Sequence, residues 1–362
     1  MNLLYPLALT KIKGVGAVKA RKLLSHFGSA EALFATPKAQ LESIGSIGPQ
    51  LAAAVYGSTI LAEAEAELRY IAQQGIQILY YDMDDYPERL KNCFDAPLLL
   101  YYKGTANLNN RRIVSVVGTR NATEYGKRIC SEFIHDLAAY DVLVTSGLAY
   151  GIDSYAHQAA LTWGVPTVGV VGHGLDRIYP PGNRELAKKM LAHGGLLTEF
   201  PLGTHPERQH FPMRNRIIAG LADVTVVVEA KQKGGALITA ELANSYNRDV
   251  CAFPGSIQQA ASAGCNYLIK TNMAHLICNG KDLARLMNWT IASPQQMPPM
   301  PAIPLSDTEQ TLYNIIQQLG QANLDTIASR FCCPQGELAT VLLGLEIKGM
   351  IRMLPGRTYE VL

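Results

Sequence analysis

Residues able to do chemistry crowd most densely between positions 211 and 255 of the 362-residue chain. Lys231, Lys233 and the pair Gly234-Gly235 follow an unbroken β-branched run at 224–228. That run is too short for a helix and suits a parallel strand covered on both faces. Glycines let a backbone approach a ligand closely, and a helix opening near Ala236 aims its free N–H groups and the positive end of its dipole at the same place. The combination is an anion site with two lysines beside it. Arg214 stands three and four residues before Ile217 and Ile218, on the apolar face of a short helix, so its guanidinium is drawn inward and needs a carboxylate or phosphate. Asp223 and Glu229 are the carboxylates that a purely structural Arg214 would take.

The elements that position these groups are strands and helices alternating over residues 76–290. Strand candidates fall at 76–80, 98–102, 113–117, 142–145, 167–171, 224–228 and 250–253, which argues an α/β, doubly wound, mostly parallel sheet. Ligands of such sheets sit beyond the carboxyl ends of the strands, and four loops arrive there. They are Gly118-Thr119-Arg120 with a helix cap at Thr123, the stretch from Ser146 and Gly147 through Tyr150 to Gly151, Gly172-His173-Gly174-Leu175-Asp176, and 231–235. None is a nucleotide signature, because Gly172-x-Gly174 meets Arg177 where a third glycine belongs and no GxxxxGK[ST] occurs. Ser146 lacks a nucleophile-elbow context, and His157, one helical turn after Asp153, reads as a packing or capping pair with it. The sheet has an anion-binding edge without the chemistry of a dehydrogenase or NTPase, and no cofactor is implied.

Hydrophobic residues at 48% and charged ones at 17% require a large buried core. A net charge of +2 does not exclude a nucleic-acid binder, which can gather its basic groups on one face. The first residues lack the order of a signal peptide and no apolar run is long enough to span a bilayer, so a cytosolic protein without membrane contact is expected. Seven cysteines without CxxC, two of them adjacent at Cys332-Cys333, read as reduced, buried apolar residues. His205 and His210 have no Cys or carboxylate cluster to complete a ligand set, so no metal is expected.

The two ends read differently from the middle. Residues 1–72 form a helical domain in which a Gly14-Val15-Gly16 turn separates two helical stretches and 43–55 repeat the device, as in a helix-hairpin-helix. The proline density of 291–304 makes a stiff linker. Beyond it, in 305–362, Ser306-x-x-Glu309 is a capping box. Helices at 306–319, 324–331 and 335–348 and a hairpin turning at Pro355-Gly356 complete a winged helix. Its third helix carries two glutamates and few basic groups, which suits a protein partner better than phosphates.

Read together, VGTRNATEYG, TSGLAYGIDSYAHQAAL, GHGLDRIYPPGN, TEFPLG, FPMRNRIIAGLADVTVVVEA, GGALITAELA and CAFPG resemble the DprA/Smf family of DNA-processing proteins of natural transformation. The resemblance spans most of 76–270 and implies a non-enzymatic protein with an extended Rossmann-like domain at 73–290. Such a protein binds single-stranded DNA, dimerises and loads RecA, with a single-strand-binding protein as a further partner. Carried over by position, its DNA pocket comprises Arg120, Ser146, Gly147, Arg214, Asn215, Arg216, Lys233, Gly234 and Gly235. Lys231 and the rings of Tyr150, Tyr179 and Phe211 converge on the same loops, as a single-strand groove with stacking faces requires. Relatives often carry a lysine before Asn183, where this chain has Pro181 and Gly182. The segment 263–273, followed by an apolar strand at 275–278, resembles the family's dimer region and is expected to leave Leu268 and Ile269, near Met273, as an exposed apolar pair. An alternative is a Rossmann-type nucleotide phosphoribohydrolase. Its turn resembles PGGxGTxxE, whereas Gly234-Gly235 is followed by Thr239 and Glu241 at a different spacing.

Overall fold

The computed structural model describes residues 2–42, 49–57, 59–291, 305–331, 335–354 and 358–361. The glycine repeat at 43–48, nearly all of the proline-rich stretch, Cys332-Cys333 and the turn at Pro355-Gly356 lie outside them. The chain divides into two compact bodies, Met1–Ser293 and Pro294–Leu362. No helix among the described residues is long and apolar enough to cross a membrane.

The first body opens with helices α1 (Leu4–Lys11), α2 (Ala17–Phe27), α3 (Ala30–Ala35), α4 (Lys38–Glu42), α5 (Pro49–Val55) and α6 (Ile60–Gln73). Gly14, at φ +83°, makes the expected turn between α1 and α2. Leu7, Leu9, Leu33 and Leu41 from these helices share one core with Ile78, Tyr80, Leu99 and Tyr101 of the first two strands. The helical region is thereby built onto the sheet.

That sheet has nine strands: β1 (Gln77–Tyr80), β2 (Leu99–Gly104), β3 (Ile113–Gly118), β4 (Leu143–Ser146), β5 (Thr167–Val170), β6 (Gly194–Thr198), β7 (Val224–Glu229), β8 (Asp249–Ala252) and β9 (His275–Leu276). Their spatial order is β1-β2-β6-β5-β4-β3-β7-β8-β9. The pairs β1–β2 and β2–β6 are antiparallel, and the others parallel. Strand β6 is absent from the seven sequence candidates because its Gly194-Gly195 opening weakens any strand signal. Both glycines are required, since a Cβ on Gly194 would overlap the Thr167 carbonyl and one on Gly195 would lie 2.6 Å from the Tyr102 ring.

Helices cover both faces. The core on one side joins residues of α7 (Glu88–Lys91), α11 (His210–Leu221), α12 (Gly235–Ser245) and α13 (Ala263–Lys270). The core on the other joins α8 (Glu124–Leu137), α9 (Ile152–Thr162) and α14 (Gly280–Leu286), while α10 (Arg184–Met190) packs at Leu148 and Leu196. Val224, Val226 and Val228 enter the second core and Val227 the first, which is why β7 reads as an uninterrupted apolar run. From β3 the order runs one way through β4, β5 and β6, and from β7 the other way through β8 and β9. The junction of β3 and β7 is therefore the switch point, where a crevice opens beyond the carboxyl ends.

One expectation is corrected here. Leu268 is wholly buried in the core with Cys265, while Ile269 and Met273 pack partly against that core. Helix α13 lies against β7 and β8, so its residues at spacing three turn inward together. The exposed apolar side chains of this region are Tyr267, at 44%, and Leu276, at 52%.

The second body comprises α15 (Asp307–Leu319), α16 (Leu324–Phe331), α17 (Gln335–Ile347) and strands β10 (Gln321–Asn323), β11 (Ile351–Leu354) and β12 (Thr358–Val361), in the order β10-β12-β11. The capping box of Ser306 and Glu309 opens α15 as its sequence requires. The core gathers Leu312, Ile316, Ile327, Leu338, Leu342 and Leu345. These elements make a winged helix whose sheet has one strand more than the hairpin alone.

Candidate nucleic-acid interface

Arg120 lies on a loop whose flanking residues, Thr119 and Thr123, are bonded to neighbouring elements. Strand β3 ends at Gly118, and the next N–H, of Thr119, donates to the Glu229 carbonyl at 2.7 Å. The Glu229 carboxylate, buried at the end of β7, accepts from Thr123 N at 2.9 Å and Thr123 Oγ1 at 2.7 Å. Thr123 in turn caps α8 by accepting from the Gly126 N–H. From α9, Ile152 N donates to Thr119 O at 3.1 Å. Gly151 permits that approach with φ +80°, because a Cβ there would lie 2.6 Å from the Arg120 backbone. The exposed guanidinium of Arg120 lies over the Phe211 ring, 5.5 Å from its centroid. Glu124, the carboxylate four residues on, is taken by Lys127 at 2.6 Å.

Arg214 turns inward as its spacing demands, but with different acceptors. Asp223 pairs with Arg89 at 2.6 Å and Glu229 serves Thr123. Arg214 Nη1 instead donates to the Gly147 carbonyl and, at 2.5 Å, to the Val170 carbonyl, tying the loop after β4 to the end of β5. Burial pushes its pKa down to about 10, with Asp153 opposing the shift and Arg120 adding to it. Ser146 and Gly147 are both buried, and Ser146 Oγ donates to Val116 O at 2.6 Å. They support the crevice from beneath. His157 does not pair with Asp153: it is buried, bonds Thr167 Oγ1 through Nδ1 at 2.7 Å, and is kept neutral by a pKa lowered to about 3, chiefly by burial. Arg216 faces away from the crevice, bonded to the Glu199 carboxylate and the Asp95 carbonyl.

The crevice encloses about 480 Å³. Arg120, Arg208, Lys231 and Lys233 present exposed cationic side chains to it, and Gly234-Gly235 open α12 at its rim. Asn215 spans to this turn, donating to Gly235 O at 3.4 Å. Tyr179, 43% exposed, lies 6.0 Å from Phe211 between ring centroids. A smaller cavity adjoining this pair adds Tyr150. Its hydroxyl stands 3.0 Å from where a Cβ on Gly182 would project, so Tyr150 lies against the turn that holds Pro181 and Gly182 in this chain. Arg208 was missed by sequence reasoning because it sits in an irregular loop. The available signal was that it is the sole Lys or Arg between 204 and 213.

The model of the family described as DNA recombination-mediator protein A matches residues 77–288. The DprA winged helix domain matches 296–357, and a SAM-like helix-hairpin-helix tandem matches 7–57. Protein Smf of Synechocystis sp. is 33% identical, with 98% of each chain covered. DNA processing protein DprA of Streptococcus pneumoniae is 43% identical over 55% of this chain and 70% of its own length. The X-ray structure of the pneumococcal DNA processing protein A superposes with a TM-score of 0.66 at 32% identity, covering 81% of this chain and 99% of that one. A structure concerned with the single-stranded DNA binding mode of DNA processing protein A from Helicobacter pylori gives 0.54 at 27% identity, over 59% and 97%. The chain belongs to the DNA recombination-mediator protein A family, DprA/Smf.

Proposed function

We propose that this protein binds single-stranded DNA in the switch-point crevice, without reading its sequence, and passes the strand to a RecA recombinase during uptake or recombination of DNA. The observation that carries this reading is the convergence of Arg120, Arg208, Lys231 and Lys233 with the faces of Phe211 and Tyr179 in one crevice. Phosphates follow cations and backbone N–H groups, and unpaired bases follow ring faces, whichever bases they are. Family membership supports the same reading, as does the Helicobacter relative's concern with single-stranded DNA. The protein acts by binding: the two side chains closest to a nucleophile and base, Ser146 and His157, are buried and already bonded to the framework. Its place is the cytosol, with a second copy of the chain and a single-strand-binding protein as companions.

A labelled oligo-dT and its duplex, titrated at low and high salt, test the central statement. Tighter single-strand binding that weakens with salt is expected, and equal affinity for the two forms would remove the reading. Recombinase loading is read from RecA filament formation on strands coated with single-strand-binding protein, which this protein should accelerate. Release of free base from nucleoside monophosphates would instead place it among the phosphoribohydrolases.

A further inference from the structure

Helix α17 of the second body is apolar on two sides and covered on one. Leu338, Leu342 and Leu345 enter the core of that body. Ala339, Leu343 and Ile347 recur at spacing four on the opposite side of the helix. All three are exposed, Leu343 at 57% and Ile347 at 77%. A surface helix turns polar groups outward, whereas one that is apolar all round is built to be buried all round. A single exposed leucine calls for no explanation, but an apolar stripe about two turns long marks an association site.

The charge around the stripe decides what covers it. Glu346 borders it beside Ile347, and Glu337 stands in the first turn of the helix; both are exposed. The nearest cations are spent: Lys348 pairs with Glu309 at 2.7 Å and Arg352 with Glu360. Arg330, the other Lys or Arg among the described residues of this body, belongs to α16. Residues 305–362 hold six acidic residues against four basic ones. Phosphates are repelled from such a face, and α17 has no Arg, Lys or Asn with which to read base edges. A second copy of α17 would bring the same acidic flanks to the interface. We propose that this face docks an amphipathic helix of a protein partner, whose apolar ridge packs on Leu343 and Ile347 and whose flanks carry Lys or Arg toward Glu346 and Glu337. The stripe is about 12 Å long at 1.5 Å per residue, which takes anchors at i, i+3 or i+4, and i+7 of such a helix. The apolar contacts supply affinity and the glutamates select the sign of the partner's charge.

The test uses the full chain and two labelled synthetic helical peptides with the same leucines at spacings three and four, one flanked by lysines and the other by glutamates, followed by anisotropy. The lysine-flanked peptide should bind saturably and about tenfold more tightly than the glutamate-flanked one. Leu343→Ser and Ile347→Ser change exposed side chains, so the melting temperature should stay nearly constant, while each should weaken the lysine-flanked peptide by about tenfold. Glu346→Lys should narrow or reverse the preference between the peptides. Oligo-dT should bind all three variants as it binds the wild type. The docking face is overturned by the absence of saturable binding, by equal binding of the two peptides, or by undiminished binding in both serine variants. Self-association of the full chain that Leu343→Ser abolishes would overturn it in favour of a second copy, and a loss of duplex-DNA affinity in that variant would overturn it in favour of nucleic acid.

Discussion

Arg120 follows Thr119, whose N–H and carbonyl are bonded to β7 and α9, its backbone packs closely on Gly151, and its side chain is left to solvent and an aromatic face. Arg120→Ala removes a ligand contact without removing a framework bond, so the melting temperature should stay nearly constant. Oligonucleotide affinity should fall by about 1–3 kcal/mol if the phosphate contact is charge-assisted, and the logarithmic salt slope by about 0.7. Arg120→Lys should recover part of the loss, because an ammonium cannot stack as the planar fork does on Phe211 or hold two phosphate oxygens. Wild-type affinity and slope in Arg120→Ala would move attention to Arg208, Lys231 and Lys233. Residue-scale legibility was uneven for a physical reason. The inward turn of Arg214 follows from Ile217 and Ile218 on its own helix, but its acceptors come from the loop after β4 and the end of β5, which no local spacing encodes. Leu268 was misplaced because three consecutive apolar residues, Tyr267-Leu268-Ile269, on a short helix do not define a face.

At the scale of elements, the central strands and their order-reversing loops were readable because β-branched runs buried on both faces have no competing helical pattern. Strand β6 and the short β10 were not, since each is fixed by its neighbours: β6 by the space its glycines leave for Thr167 and Tyr102, β10 by pairing with β12. The capping box of α15 is the opposite case, legible in four residues and formed as written. Ser306→Ala should destabilise the winged helix by about 1 kcal/mol, seen as a lower melting temperature of that body. Glu309, bonded to Lys348 and to the Ser306 N–H, has its pKa lowered from 4.5 to about 2. A depressed carboxylate pKa contributes stability above its unfolded value that is lost as the pH falls through the folded one. The start of α15 should therefore loosen between about pH 4.5 and 2. An NMR titration of the Glu309 carboxyl checks this, and a midpoint at the ordinary glutamate value would refute it.

For the whole molecule, the question is how one crevice per chain could hold a long strand, and the sheet edge offers an answer. Strand β9 pairs with β8 through two residues and ends the sheet, leaving an edge able to accept another strand. Leu276 on that strand and Tyr267 on the adjacent helix α13 are the exposed apolar side chains there. We propose that two copies associate isologously across this edge, so that a two-fold axis relates two crevices and one strand gains the effective concentration of a second site. Leu276→Arg should then give folded monomers by analytical ultracentrifugation. Short oligonucleotides filling one crevice should bind it as they bind the wild type, while oligonucleotides long enough for two crevices should bind more weakly. Leu268→Arg separates this from a core effect: a charge forced into the buried site should lower the melting temperature sharply, whatever the oligomeric state. A dimer that survives Leu276→Arg with unchanged affinity for long strands would place the association surface elsewhere on the molecule.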